Sequence, residues 1–241
     1  MATSFFKTCC ALCLILVFAP AALAQQSQRE GAEAGAPPVE YASFHQLVFV
    51  NEDFAVLNNR YPPGGDSGFH AHYRDIFYVV IQSAPSRAQR IGQPLTDAPL
   101  APVGAAGYSA TGTEPRVHRV VNGDDGPSQF IVVELRRPSP RGSAVSSRAG
   151  APQYVQIVDN ERLRAWRLIL EPGQTVPAIS QGGSGIRVVV RGGLLTTTMP
   201  TLPDQTLLLR SGEFAVQSDG STRALRNSGA ETIELVEIEL K

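Results

Sequence analysis

The chain has 241 residues, of which 43% are hydrophobic and 18% charged, and its formal net charge is -1. These values are ordinary for a globular protein, and the near-neutral charge argues against nucleic acid or anionic lipid as a partner. The 22 glycines and 18 prolines favour many short strands joined by turns over long helices.

Residues 1–24 have the pattern of a secretory signal. Lys7 is their only charge, an apolar run follows at residues 9–18, and Ala22-Leu23-Ala24 provides a small-x-small cleavage site. The pattern predicts an exported protein, periplasmic or extracellular, with no stable membrane anchor after cleavage. An uncleaved N-terminal anchor is the alternative, although the apolar run is short for a bilayer span.

Two polar stretches divide the rest of the chain. Residues 25–40 are rich in Ala, Gly and Pro, and residues 136–153 are rich in Pro, Ser and Gly without apolar periodicity. These compositions are typical of a flexible leader and a linker. They leave two domains of about equal length, at residues 41–135 and 154–241.

Both domains are predicted to be all-β. Short runs rich in Val, Ile, Leu and Phe are separated by Gly, Pro and Asn turns, which is the spacing of a sandwich or barrel. The runs lie at residues 44–50, 77–81, 130–135, 168–170, 186–190 and 233–240.

The two domains also repeat each other. Residues 51–64 align without a gap with residues 160–173, and residues 118–122 align with residues 223–227. Duplication of one β-barrel unit explains both matches.

The first repeat resembles the cupin family. That family's first motif begins with Gly, five residues and His-x-His, and this sequence has Gly64 followed at the same spacing by His70 and His72. Its second motif matches at Gly107, His118 and Asn122, whereas Thr113 and Pro115 stand where the family has Pro and Gly. The resemblance implies a bicupin: two double-stranded β-helix (jelly-roll) barrels in tandem, the first with a metal site.

The residues themselves support metal binding by His70, His72 and His118. Side chains two apart on a strand project from the same face, and a third histidine can join them from another strand. Because all three cysteines lie within residues 1–24, the mature chain must use nitrogen and oxygen ligands. Imidazoles suit a divalent transition metal such as Fe, Ni, Mn, Zn or Cu. His45 has no motif partner and is expected to lie away from the site.

The first motif departs from the family at its Glu, where this chain has Ile76. Asp75 is adjacent and replaces the Glu only if the preceding turn is shortened. The sequence therefore favours a site of three histidines alone and keeps three histidines plus Asp75 as the alternative. Tyr78, Asp75 and Arg116 are the candidate catalytic residues, since each lies beside a motif histidine in sequence.

The second repeat has lost the ligands. Ile179, Gln181 and Arg223 align with the three histidines, and this set does not hold a cation. We expect this second barrel to be structural. The alternative is a metal-free pocket in which Arg223 binds an anion. The motif residues that survive are those needed for turns: Gly212, Gly220 and Asn227.

The resemblance leaves the reaction open, because cupins serve many chemistries. We expect a metal-dependent enzyme, dioxygenase-like or isomerase/lyase-like, that acts on a small molecule. The alternative is a non-catalytic cupin module that binds a small molecule or a metal in the cell envelope. Pairing of edge strands into a homodimer is left undecided by the sequence.

Overall fold

A computed structural model describes residues 35–137, 139, 140, 146 and 148–241. The predicted signal peptide, residues 1–24, lies outside this described part. The described chain contains 18 β-strands and one short 3-10 helix, Val39–Tyr41. No helix in this part has the length and hydrophobicity that a bilayer span requires.

The first nine strands, β1 to β9, form two sheets. In the first sheet the strand order is β1-β2-β9-β4-β7, and in the second it is β3-β8-β5-β6. All the pairings are antiparallel. The strands lie at His45–Val50, Phe54–Tyr61, His70–His72, Ile76–Gln82, Ser86–Arg90, Thr96–Ala98, Ala106–Ser109, Arg116–Asn122 and Ser128–Leu135.

Strands β10 to β18 repeat this arrangement. Their sheets have the orders β10-β11-β18-β13-β16 and β12-β17-β14-β15, which are the first two orders with nine added to every number. The duplication inferred from the sequence is therefore a duplication of topology. The strands lie at Tyr154–Asp159, Leu163–Leu170, Thr175–Ser180, Gly185–Arg191, Gly193–Met199, Leu202–Leu209, Phe214–Gln217, Thr222–Asn227 and Ile233–Leu240.

One hydrophobic core joins the two barrels. Phe77 and Val79 of β4 and Ile186 and Val188 of β13 belong to the same buried cluster. On a strand, alternate residues face opposite sides, so the other face of β4 is free to line the interior of its own barrel. This double burial explains why residues 76–81 are an unbroken apolar run instead of an alternating one.

The ordered fold begins earlier than the predicted leader allowed. Val39 is buried, and the backbone N–H of Ala71 in β3 donates to the carbonyl of Pro37 at 2.9 Å. Residues 37–40, assigned to the leader by their composition, therefore belong to the first barrel. Composition missed this because a single buried residue, Val39, does not produce a periodic pattern.

The second barrel has the same lead-in within the segment predicted as a linker. Ala42 N–H donates to the Val39 carbonyl, and Ala151 N–H donates in the same way to the Arg148 carbonyl. Arg148 is buried, as Val39 is. The repeat thus extends back to the end of the 136–153 segment, where polar composition conceals a buried arginine.

The motif asparagines that both repeats retain have a structural role. Asn122 Nδ2 donates to the carbonyls of Pro62 at 3.0 Å and Gly126 at 2.8 Å. Asn227 Nδ2 donates to the corresponding pair, Leu170 and Glu231, both at 2.8 Å. Each amide therefore ties a buried strand end to the following loop, which both barrels need whether or not they bind a metal.

Candidate metal centre

The pairing of β3 with β8 brings the three motif histidines together. His70 lies directly opposite His118, and His72 lies opposite Arg116. Residues directly opposite each other on antiparallel strands share a face, so all four side chains project to the same side. The ligand atoms of the three histidines lie within 4.8 Å of one another.

The nitrogens of this group have the spacing of metal ligands. Nε2 of His72 and Nε2 of His118 lie 3.1 Å apart. Two nitrogens bound to one cation at about 2.0–2.1 Å are about 3 Å apart when their bonds are nearly perpendicular. The separation therefore fits a shared cation.

A hydrogen bond at Nδ1 of His70 leaves its Nε2 free to bind a cation. Its Nδ1 lies 3.1 Å from the carbonyl of Gly68, which can only accept, so Nδ1 carries the hydrogen and Nε2 carries the lone pair. His70 Nε2 is buried and has no hydrogen-bond partner within the described residues. Buried polar atoms are rarely left unpaired, and a metal ligand has this free lone pair.

Burial keeps the three imidazoles neutral. Desolvation, reinforced by the neighbouring His45, lowers the pKa of His70 to about 4. Desolvation and the other histidines hold the pKa values of His72 and His118 well below 6.5. A neutral imidazole is the form that coordinates a cation. The three-histidine group therefore fits a divalent metal ion, whose identity this ligand set leaves open.

The group opens onto a cavity of about 240 Å³ inside the first barrel. The wall is largely apolar and includes Ile76, Val120, Phe130 and Val132. No carboxylate of the described residues lines it. The larger polar side chains on its wall, besides the ligands His72 and His118, are His45, Asn59, Tyr61, Tyr78 and Arg116.

Arg116 is a charged residue on the wall of this cavity that has no ion-pair partner among the described residues. No carboxylate in the described chain lies within ion-pair distance of it, and its Nε is buried without a hydrogen-bond partner. Burial, reinforced by the charge of Arg90, lowers its pKa. Asn59 Oδ1 is also buried and unpaired. Two polar groups at the cavity therefore have hydrogen-bonding capacity that the described protein does not use.

Tyr78 is held at the cavity by the motif glycine. Tyr78 lies opposite Gly107 on β7, and a Cβ added at Gly107 would meet the Tyr78 hydroxyl at 2.9 Å. Any other residue at position 107 would displace the phenol. This contact gives a packing reason for the glycine at the start of the second motif.

Comparison with known proteins shows the fold. By sequence, the chain matches no family model and no curated protein. By structure, it is similar to AerE from Microcystis aeruginosa, with a TM-score of 0.60 and 13% identity over 84% of this chain and 99% of that one. It is also similar to a cupin 2 conserved barrel domain protein from Leptotrichia buccalis, with a TM-score of 0.50 and 10% identity over 82% and 88% of the two chains. The chain has the bicupin fold.

A third similar structure is itself an enzyme. The salicylate 1,2-dioxygenase from Pseudaminobacter salicylatoxidans has a TM-score of 0.57 and 13% identity, and the match covers 92% of this bicupin and 82% of the dioxygenase. Identity this low carries information about the fold alone.

Asp75 is not at the metal site of this bicupin, which corrects its place among the candidate residues. Its Oδ1 accepts a hydrogen bond from Gly112 N–H at 2.9 Å, and its Oδ2 forms an ion pair with Arg162 of the second barrel. The neighbouring Ile76 faces the cavity instead. The turn before β4 is therefore not shortened, and the site has three histidines and no acidic ligand.

His45, which was expected to lie elsewhere, also lines the cavity. Its ring centroid is 4.5 Å from that of His70. Its Nδ1 donates to the Ser43 carbonyl at 2.9 Å, so its Nε2 accepts from the Tyr61 hydroxyl at 3.1 Å. No motif covers His45, because it reaches the site through the pairing of β1 with β2. No sequence signal identifies that approach.

The second barrel has a different interior at the corresponding place. Ile179 lies opposite Arg223, as His70 lies opposite His118. Arg223 Nη2 donates to Gln181 Oε1 at 3.3 Å and lies 3.8 Å from a carboxylate oxygen of Glu237. Arg223 therefore contacts Gln181 and Glu237 within the protein, while its Nε is buried without a hydrogen-bond partner among the described residues.

Proposed function

We propose that this bicupin is a metal-dependent enzyme that acts on a small, anionic and largely apolar molecule in the first barrel. The observation that carries the proposal is the convergence of three imidazole ligands on a cavity that also contains an uncompensated Arg116. The cavity of about 240 Å³ has a largely apolar wall and few polar groups that could orient a small molecule, as ligand sites generally do.

The charge of the site argues for an anion. Three neutral imidazoles leave a bound cation with its full 2+ charge, because Ile76 replaces the acidic ligand of the family motif. Arg116 adds a further positive charge beside His72, and the described residues that line the cavity bring no carboxylate. A carboxylate or enolate that reaches both the cation and the guanidinium would balance this charge.

The residues around the cavity would have different roles in binding the substrate. Arg116 would bind the anionic group, and Tyr78 would offer a phenol to a second oxygen of the substrate. Ile76, Phe130 and Val132 would pack against the apolar body and exclude water. A metal held by the histidines would supply Lewis-acid or redox chemistry. These roles suit a dioxygenase-like reaction, or an isomerase- or lyase-like reaction at a carbon next to a carbonyl.

A non-catalytic binding module is the second candidate, and one observation favours it. No carboxylate of the described residues lines the cavity, so the acid–base groups available are Tyr78 and the His45–Tyr61 pair. A site that only captures a small molecule or a metal needs no general base. The same positive cavity would serve this function equally well.

We also propose that the protein is exported, on the basis of the signal pattern in residues 1–24. The mature chain would begin at Gln25 or within a residue or two of it. Intact-mass analysis of the protein recovered from its native host tests this proposal. Retention of residues 1–24 would overturn it.

An activity screen tests the enzyme proposal. The mature protein is purified and loaded separately with Fe(II), Ni(II), Mn(II), Zn(II) and Cu(II), then incubated with a panel of small carboxylic acids that includes salicylate. Oxygen uptake and product chromatography measure turnover, and His72→Ala serves as the metal-free control. We expect turnover that the variant lacks. Tight binding of a carboxylate without turnover under any metal would instead support the binding module.

A further inference from the structure

A buried ionic cluster occupies the interior of the second barrel. Glu237 Oε1 accepts from Arg187 Nε at 2.7 Å, while Glu237 Oε2 forms ion pairs with Arg148 and Arg223. Glu239 accepts from the backbone N–H groups of Ser146 and Gly183 and lies 3.7 Å from Arg148. At the corresponding place, the first barrel has an apolar cluster of Val39, Leu57, Ile76 and Val132.

This cluster contains more positive than negative charge. Three guanidinium groups face two carboxylates. Burial raises the pKa of Glu237, but the charges of Arg187, Arg148 and Arg223 outweigh that effect and lower the pKa below its ordinary value. An unbalanced buried charge is costly unless a counter-ion meets it.

Each of the three arginines has a buried donor without a hydrogen-bond partner, and Arg187 is the one that also lines a cavity. Its side chain is 7% exposed, and Glu237 is the one carboxylate of the described chain within ion-pair distance. That contact uses Nε, whereas Nη2 is buried and has no hydrogen-bond partner. A guanidinium group has five N–H donors, so Arg187 retains capacity for an additional acceptor.

A cavity of about 520 Å³ adjoins Arg187. Its walls are largely apolar, and Val189, Leu195, Leu207 and Leu209 are among them. The charged groups on its rim, Arg60 and Glu213, are exposed. Glu213 is hydrogen-bonded to the backbone N–H of Arg210.

The cavity has the same place in the repeat as the metal cavity of the first barrel. Arg187 lies between Glu237 and Ala215 of its sheet neighbours, as Tyr78 lies between Val132 and Gly107. The two cavities are therefore bounded by corresponding strands, β4 in the first barrel and β13 in the second. The second cavity has Arg187 where the first has Tyr78.

We propose that the second barrel is a second, metal-free ligand site that binds a small organic anion with an apolar body. Arg187 binds the anionic group, and the leucine-rich walls take up the apolar part. The anion also balances the excess positive charge of the buried cluster. This site is independent of the reaction proposed for the first barrel, because it uses none of that barrel's metal ligands.

Isothermal titration calorimetry with 1-naphthoate tests the proposal on the full mature protein. Thr197 lines the cavity, so Thr197→Trp fills it without removing a charged group of the ionic cluster. Thr206→Trp is the matched control, since Thr206 is exposed on the outer face, where it is hydrogen-bonded to Thr196. We expect Thr197→Trp to weaken one binding event at least tenfold and Thr206→Trp to leave it unchanged. We expect the neutral 1-naphthamide to bind at least tenfold more weakly than 1-naphthoate.

Arg187→Gln gives a second measurement, and the Thr197→Trp comparison stands even if that variant fails to fold. Equal binding of naphthoate and naphthamide would show that Arg187 does not select an anion. Binding that survives Thr197→Trp but is lost in Arg116→Gln would place the anion in the first barrel. The proposal is overturned by either result, or by the absence of any binding.

Discussion

Ile179 occupies in the second barrel the register position that His70 occupies in the first. Each lies directly opposite the residue aligned with the third ligand, Arg223 in one case and His118 in the other. The pairing of the two strands is retained although the ligands are lost, so the barrel does not need the histidines to fold. A substitution at either position can therefore separate metal binding from folding.

The first prediction compares His70→Ala with Ile179→Ala. We expect His70→Ala to lose bound metal, because two imidazoles retain a cation far less tightly than three, and Ile179→Ala to retain about one metal per chain. Elemental mass spectrometry measures the content, and circular dichroism checks that both variants are folded. Loss of metal from Ile179→Ala alone would mean that the site lies in the second barrel.

The second prediction concerns Arg116→Gln. A hydrogen bond to a charged group contributes about 1.5–3 kcal/mol, so we expect benzoate to bind roughly 10- to 100-fold more weakly, with metal content unchanged. The visible spectrum of the cobalt(II)-loaded protein reports benzoate at the metal site and not in the second barrel. The control is Arg119→Gln on the same strand, since Arg119 pairs with Asp66 at 3.4 Å. Equal losses in both variants would contradict a specific role for Arg116.

The third prediction restores the acidic residue of the family motif. Ile76→Glu would place a carboxylate at the wall of the metal cavity, where Ile76 lies now. We expect slower removal of the metal by a chelator, and weaker binding of benzoate because the added charge neutralises the site. The control is Ile76→Gln, because glutamine has nearly the same shape as glutamate but no charge. We expect it to change neither the rate of metal removal nor the binding of benzoate. Faster loss of metal from Ile76→Glu than from the unaltered protein would show that residue 76 does not approach the cation.

The ligand histidines could be predicted from the sequence because their positions depend on strand geometry alone. His70 and His72 are two apart on one strand, and strand alternation alone places them on one face. Asp75 stayed undecided because its direction depends on a turn length that spacing does not determine. His45 was missed because no motif covers it and it reaches the site through the pairing of β1 with β2. Arg148 was missed because it lies in the segment that leads into the second barrel. Composition describes such a segment as polar, whereas only the three-dimensional pairing shows that it is buried.

The fourth prediction concerns the ion pair between the barrels. Asp75 is 4% exposed and is paired with Arg162, and removing one partner of a buried pair costs about 3 kcal/mol or more. Asp75→Asn keeps an oxygen for Gly112 N–H but leaves Arg162 without its charge partner, so we expect a clear loss in the free energy of unfolding. Denaturant unfolding measures this loss. Metal content should be unchanged, and a loss of metal from the folded variant would show that Asp75 is a ligand after all.

The fifth prediction separates structure from function in the second motif. Asn122 and Asn227 are buried, and each donates from Nδ2 to two or more backbone carbonyls. Asn→Leu at either position removes these hydrogen bonds with little change in side-chain size. Because a typical hydrogen bond contributes about 0.5–1.5 kcal/mol and each variant loses two or more, we expect each variant to lose roughly 1–3 kcal/mol in the free energy of unfolding. If the asparagine served the metal site, Asn122→Leu would reduce metal binding in the folded protein and Asn227→Leu would be nearly as stable as the unaltered chain. Comparable destabilisation of both variants, measured by urea unfolding, is expected because the same turn closes both barrels.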